Sequence, residues 1–159
     1  MCQRAPENGP RSLRQPVGVV AAITPSTNPG ATPANQIINA LKCGNAIILA
    51  PSPKGYGTLA LLLDFVNGNL KRIGAPPDLV QMLPAPITKD STYELMRLTD
   101  LVAATGSQAN VKAAYSSGKP ALGVGVGNVP VIVDASADLD GAAKKIMLSK
   151  CFDHATSCS

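Results

Sequence analysis

Tryptophan is absent from this 159-residue chain, and the aromatic complement is two phenylalanines and three tyrosines. With so few rings, the interior must be assembled from Val, Ile, Leu and Ala. The same shortage, with no clustered Lys/Arg patch, excludes a nucleic-acid surface on which bases stack. Acidic side chains are missing between Asn8 and Leu63, a span that holds Arg11, Arg14, Lys42 and Lys54 within a net charge of +4. Scattered cations of that kind suit a site for a phosphorylated small molecule. The four cysteines (Cys2, Cys43, Cys151, Cys158) have no CxxC spacing, and His154 is the lone histidine, so no zinc set and no metal is expected. Reduced thiols point to the cytoplasm. No aliphatic run is long enough to span a bilayer, and the first ten residues lack the apolar core of a signal peptide.

What the chain does have is aliphatic content, 45% hydrophobic residues in all. Residues Met1–Gln15 are polar, carry Pro6, Gly9 and Pro10, and read as a tail or linker; residues 16–159 read as one domain. Strands are predicted at Val17–Pro25, Asn45–Pro51, Leu79–Leu83, Leu101–Gly106 and Val129–Asp134. Helices are predicted at Pro33–Gly44, Gly57–Gly74, Thr88–Leu98, Ser107–Ser117 and Ala137–Phe152. Cys43 and Cys151 fall in two of these helices and read as packing residues. Strands alternating with helices imply an α/β fold, a doubly wound, mainly parallel sheet with helices on both faces. Ligands of such sheets lie beyond the carboxyl ends of the strands. That rule selects "TPSTNPG", "APSPKG", "ATGSQ" and the stretch "FDHATSCS" after the last helix.

Each stretch has a bland reading beside a functional one. In "ATGSQANVKAAY", Gly106 lets backbone approach a ligand and Ser107 caps a helix whose positive end would attract a pyrophosphate; an ordinary capped turn looks the same. "GVGVGN" (Gly123–Asn128) fails as a dinucleotide fingerprint, because the sixth position is Asn128 and a strand rather than a helix is expected next. A glycine-lined loop that lets a ring pass near backbone stays open. "TPSTNPG" is either turn chemistry or a rigid loop that presents an amide or hydroxyl to an oxyanion. Cys158 is either an inert thiol near a chain end or a nucleophile. His154, four residues earlier, would sit beside it only if the turn were helical.

The blocks "TNPG", "ATGSQANVKAAYSSGKPALGVGVGNVPVIVDASADLD" and "LSKCFDHATSCS", in that order, resemble the aldehyde dehydrogenase superfamily over about Pro16 to the end. More narrowly they are similar to its CoA-acylating branch, which includes the aldehyde domain of bifunctional aldehyde/alcohol dehydrogenases, sulfoacetaldehyde dehydrogenase and CoA-acylating succinate-semialdehyde dehydrogenase. The resemblance implies a Rossmann-like domain for NAD or NADP, ending at the catalytic cysteine loop, with the remainder of the catalytic domain absent. It implies a bacterial oxidoreductase that passes an aldehyde through a thioacyl-cysteine to coenzyme A. Cys158 matches the nucleophile, and Asn28 matches the oxyanion-holding side chain, with Thr27 the neighbouring alternative. The cofactor positions implied are Thr24, Pro25 and Ser26; Ser52 and Pro53; Thr105, Gly106 and Ser107; and Gly123, Val124 and Gly125. A homo-oligomer is implied for the full-length parent, and the fragment by itself is expected to be inactive.

Two departures from the superfamily pattern carry information. Hydrolytic members place a water-activating glutamate at the glycine loop, where Leu122–Gly127 has no ionisable side chain. Without a positioned base, water is a poor deacylating agent and a thiol is favoured. Many relatives also carry a lysine and then a glutamate after the second strand, where this chain has Ala50 and Pro53 with Lys54 alongside, so NAD and NADP both stay open. A hydrolytic NAD(P)-dependent enzyme and a non-catalytic nucleotide-binding or assembly module are the competing expectations.

Overall fold

The strands at Val19–Thr24 and Ala46–Pro51 need two dry faces, because apolar residues run through them without alternation. The structure, a computed structural model, describes residues 15–127 and 129–155. Strand β1 (Val19–Thr24) leads to helix α1 (Ala31–Lys42), and β2 (Ala46–Pro51) leads through a 3-10 turn (Pro53–Gly55) into α2 (Tyr56–Arg72). Next come β3 (Val80–Met82), α3 (Lys89–Leu98), β4 (Leu101–Thr105), α4 (Gln108–Tyr115), β5 (Ala121–Val124) and α5 (Leu139–Cys151). The strands pair in parallel in the order β3-β2-β1-β4-β5. This is the doubly wound α/β sheet that the alternation of elements predicts.

Side-chain alternation along β1 separates two cores. Val20 and Ala22 pack with Ile37 and Ala40 of α1 and with Leu59 and Leu63 of α2. Ala21 and Ile23 face the other way, against Leu95 and Met96 of α3 and Ala114 of α4. Helices on both faces account for the aliphatic strands, since a parallel sheet has no wet side. Leu49, Ile47, Ala21, Ala22 and Val102 have no solvent exposure.

Polar side chains fix the ends of these elements. Asn45 Oδ1 accepts the N–H groups of Val17 (2.7 Å) and Gly18 (3.1 Å), and Asp100 Oδ2 accepts that of Val19 (2.8 Å). The start of β1 is thereby tied to the entry of β2 and of β4. At α3 the cap is Thr88, in a reciprocal box: its Oγ1 accepts from Ser91 N–H (3.0 Å) while Ser91 Oγ accepts from Thr88 N–H (3.1 Å).

One expected strand is not there. Val129–Asp134 has no regular structure, and the fifth strand is Ala121–Val124, within and before the glycine stretch. An apolar run becomes a strand only where a partner supplies hydrogen bonds, and Pro130 lacks a donor. Ile132 is 95% exposed, and α5 buries none of its residues. Lys150 Nζ reaches back to Val129 O (2.8 Å), and Asp138 caps α5 through Gly141 N–H (3.2 Å). Among the described residues, no helix is long and apolar enough to cross a membrane.

The entry to β1 generates a stability prediction. Gly18 has φ +120°, and a Cβ there would fall on the Asp100 carboxylate that accepts Val19 N–H. Gly18→Ala therefore strains the backbone and displaces that acceptor, for an expected loss of about 1–3 kcal/mol. Urea unfolding measures it; an unchanged midpoint would show that Asp100 does not hold this corner.

Candidate functional site

The strand order reverses direction between β1 and β4, since β2 and β3 lie on one side and β5 on the other. Loops leaving the carboxyl ends of β1 and β4 diverge there and open a crevice, as in other open α/β sheets. A cleft of about 610 Å³ occupies that position. Its volume lies within the range of small-molecule sites.

Four loops build it. From the loop after β1 come Thr24, Pro25, Ser26, Thr27 and Asn28. The loop after β2 adds Ser52 and Pro53, the loop after β4 adds Thr105, Gly106 and Ser107, and the end of β5 adds Val124 and Gly125. These are sequence-selected positions, now on one wall-to-wall surface. Backbone bonds lock the loops together: Ser52 N–H donates to Thr24 O (3.2 Å) and Gly106 N–H to Val124 O (3.0 Å). Gly106 has φ +141°, a conformation that favours glycine, and a Cβ there would lie 3.5 Å from Pro25 Cβ. The loops after β1 and β4 thus touch at the switch point.

Helices α1 and α4, and α2 through its 3-10 turn, all begin at this edge. Ser107 Oγ caps α4 by accepting Asn110 N–H (3.3 Å), and Ser107 O accepts Val111 N–H (3.1 Å). The N–H groups of Gln108 and Ala109 have no intrahelical acceptor, so the positive end of α4 is available to an anion. Among the described residues, no Asp or Glu lines the cleft, and Lys89 is its one charged side chain. The Ser52 hydroxyl oxygen is buried without a hydrogen-bond partner. Among the described residues the cleft therefore carries one cation, no carboxylate, and unpartnered donors at Ser52 and at the start of α4.

One selected and described position is not on this surface. Gly123 is outside the lining, and the structure gives it a packing reason instead: a Cβ would sit 2.7 Å from Val111 Cγ1 and 2.8 Å from Tyr115 Cε2. Its N–H donates to Tyr115 Oη (3.1 Å), which stitches β5 to α4. Cys158 lies outside the described residues, as does Asn128. His154 is exposed with φ 53°, in a 3-10 turn at Phe152–Ala155. Cys43 and Cys151, read as packing residues, are both exposed. Cys43 lies beyond Ala40 and Leu41, the last residues of α1 that pack on the core, and α5 has no buried face on which Cys151 could pack.

Sequence reasoning missed the loop after β3, where Ile87, Thr88 and Lys89, with Thr92 and Tyr93 of α3, complete one wall. The signal was available. The rule about carboxyl ends applies to that loop as much as to the others.

A profile of the aldehyde dehydrogenase family matches residues 2–159. The chain belongs to the aldehyde dehydrogenase family. Among curated relatives, an acylating sulfoacetaldehyde dehydrogenase from Cupriavidus necator is 68% identical over 151 residues, which is 95% of this chain and 31% of that protein. Among solved structures, an acetylating aldehyde dehydrogenase from Geobacillus thermoglucosidasius superposes with a TM-score of 0.78 at 45% identity, over 91% of this chain and 32% of that one. A propionaldehyde dehydrogenase from Rhodopseudomonas palustris with bound propionyl-CoA gives a TM-score of 0.78 at 36% identity, over 91% and 32%. The chain thus spans about a third of the length of the aldehyde dehydrogenases it matches.

The packing of Gly123 is testable. Gly123→Ala pushes a methyl into Val111 and the Tyr115 ring, with an expected cost of about 1–3 kcal/mol in urea unfolding. A neutral substitution would return Gly123 to the pool of ligand-approach residues.

Proposed function

We propose that this chain is the cofactor-binding part of a CoA-acylating aldehyde dehydrogenase, which oxidises an aldehyde with NAD⁺ or NADP⁺ and releases an acyl-CoA. The observation that carries the reading is the cationic, carboxylate-free cleft at the switch point of a chain from this family. Its fit to a dinucleotide rests on its own residues. The open N–H groups at the start of α4 and the buried, unpartnered Ser52 hydroxyl supply donors for phosphate and ribose oxygens. Thr105, Gly106 and Ser107 would hold the pyrophosphate, with Thr24–Ser26, Ser52–Pro53 and Val124–Gly125 along the rest of the cofactor.

Cys158 is assigned as the nucleophile. Its thiolate attacks the aldehyde carbonyl carbon, a C–S bond forms, and negative charge moves onto the oxygen. The Cys158 N–H and the Asn28 side-chain amide, with Thr27 next to it, are assigned to that oxyanion. Asn28 is exposed at the cleft, and its side chain makes no hydrogen bond to the described residues. When bound, the nicotinamide supplies the acceptor for the hydride that leaves the thiohemiacetal carbon. The acyl group is then a thioester on Cys158. The sulfur of coenzyme A attacks that carbonyl, the bond to Cys158 breaks, and the thiolate is restored.

Among the described residues no carboxylate lines the cleft to activate water, which supports thiolysis over hydrolysis. Two relatives named above are acylating or acetylating enzymes, and a third was solved with propionyl-CoA. Sulfoacetaldehyde, the aldehyde in the name of the 68% identical relative, is the first substrate to test. A cytoplasmic location and a homo-oligomer of the full-length protein complete the proposal.

The test uses the full-length protein that carries this sequence. Cys158→Ser is expected to lower turnover by about a thousandfold or more. Leaving out coenzyme A is expected to reduce the wild-type rate to a small residue, read as NAD(P)H absorbance. Free acid formed at full rate without coenzyme A would contradict the acylating assignment, and an active Cys158→Ser variant would remove the nucleophile.

A further inference from the structure

We propose that the groove between α1 and α2 seats an amphipathic helix with an acidic edge, supplied by the part of the full-length polypeptide outside this chain. Both helices cover one face of the sheet, over the core that holds Ile37, Ala40, Leu59 and Leu63. Between them runs a groove of about 530 Å³, lined by α1, by α2 and by Ile73 at the end of α2. Ile37, Leu41, Val66 and Leu70 form its floor, where they also pack on that core. Its rim is apolar as well: Ile38 is 55%, Phe65 64% and Ile73 78% exposed. The outer face of a helix on a sheet is ordinarily polar, so three large exposed apolar side chains around one groove mark a surface that is covered.

Polar chemistry in the groove is already used. Asn69 Nδ2 donates to Phe65 O (2.7 Å), and Asn69 Oδ1 accepts from Arg72 Nη1 (3.3 Å), so the Asn69 amide is not free for a small polar ligand. An apolar groove without placed donors suits the face of a polypeptide rather than a metabolite. Phe65, Asn69 and Ile73 line it at four-residue spacing, a row of about 12 Å at 1.5 Å per residue. That length meets two turns of a partner helix, whose residues at i, i+3, i+4 and i+7 would fill the groove. Charge selects the rest of its chemistry. Arg72 lines the groove, Lys42 and Lys71 lie in the last turns of α1 and α2, and no acidic residue occurs in α1 or in the lining. None of these three cations is ion-paired among the described residues. An isologous contact with a second copy would bring the same surface, and more cations, to a groove that already holds one. The carboxylates must therefore come from a different sequence. This chain spans about a third of the length of the relatives it matches, and the remaining length is present in every copy.

The experiment uses the full-length protein with p-benzoylphenylalanine in place of Phe65, irradiated and run on a denaturing gel. The crosslink is expected at the mass of a single subunit. Peptide mapping is expected to place it outside residues 1–159, in a segment with apolar residues at helical spacing and neighbouring Asp or Glu. Iodoacetamide labelling of Ile73→Cys supplies an independent reading. It is expected to be at least about tenfold slower than at Asp64→Cys, an exposed position of α2 outside the groove. A crosslink of doubled mass would put a second copy in the groove and overturn the proposal. So would equal labelling rates at the two cysteines, a crosslink confined to residues 1–159, or a mapped segment without carboxylates.

Discussion

Parallel pairing of β1 with β4 is the constraint on which the rest of the molecule depends. Val20 through Ile23 run beside Leu101 through Ala104, although most of the domain lies between them in sequence. Small residues make the pairing compact: Ala21, Ala22 and Ala104 are buried at the sheet centre, and helices close over both faces. Because both strands end at the same edge, Thr24–Asn28 and Thr105–Ser107 must meet there. Gly106, in a backbone conformation that suits glycine, lets the second loop rest against Pro25. Without that register there is no crevice, and the polar loop residues would be unrelated turns.

Electrostatics follow from the same geometry. Acid-free sequence from Asn8 to Leu63 encloses the loops after β1 and β2, both of which line the cleft. A compositional gap thereby becomes a local field. Helix starts at α1, α2 and α4 add their positive ends, and the Ser52 hydroxyl adds a donor without a partner. In a site partly shielded from water, such fixed dipoles and charges act on a bound anion more strongly than they would on the open surface.

The central sheet was legible because its cause is local and repeated. Aliphatic runs such as Val19–Thr24 and Ala46–Pro51 have few ways to be buried, and the capping pattern at Thr88 and Ser107 marks helix starts directly. Legibility failed where a partner decides. Val129–Asp134 carries strand-forming residues yet pairs with nothing described, while Ala121–Val124, interrupted by Gly123, pairs because β4 offers an edge. Gly123 looked like a ligand-approach glycine, but its neighbours are Val111 and Tyr115, which no local motif reveals. Both Cys43 and Cys151 were expected in helices, but Cys43 caps the end of α1, Cys151 closes α5, and both are exposed. The wall after β3 was missed through incomplete use of a rule that already covered it.

A crystal structure of the full-length protein soaked with dinucleotide tests the central claim most directly. The account predicts the pyrophosphate against the first turn of α4, beside Thr105–Ser107, with the adenosine ribose towards Ser52 and the nicotinamide towards Asn28. A dinucleotide seated on any other edge of the sheet, with the β1/β4 crevice left empty, would contradict it.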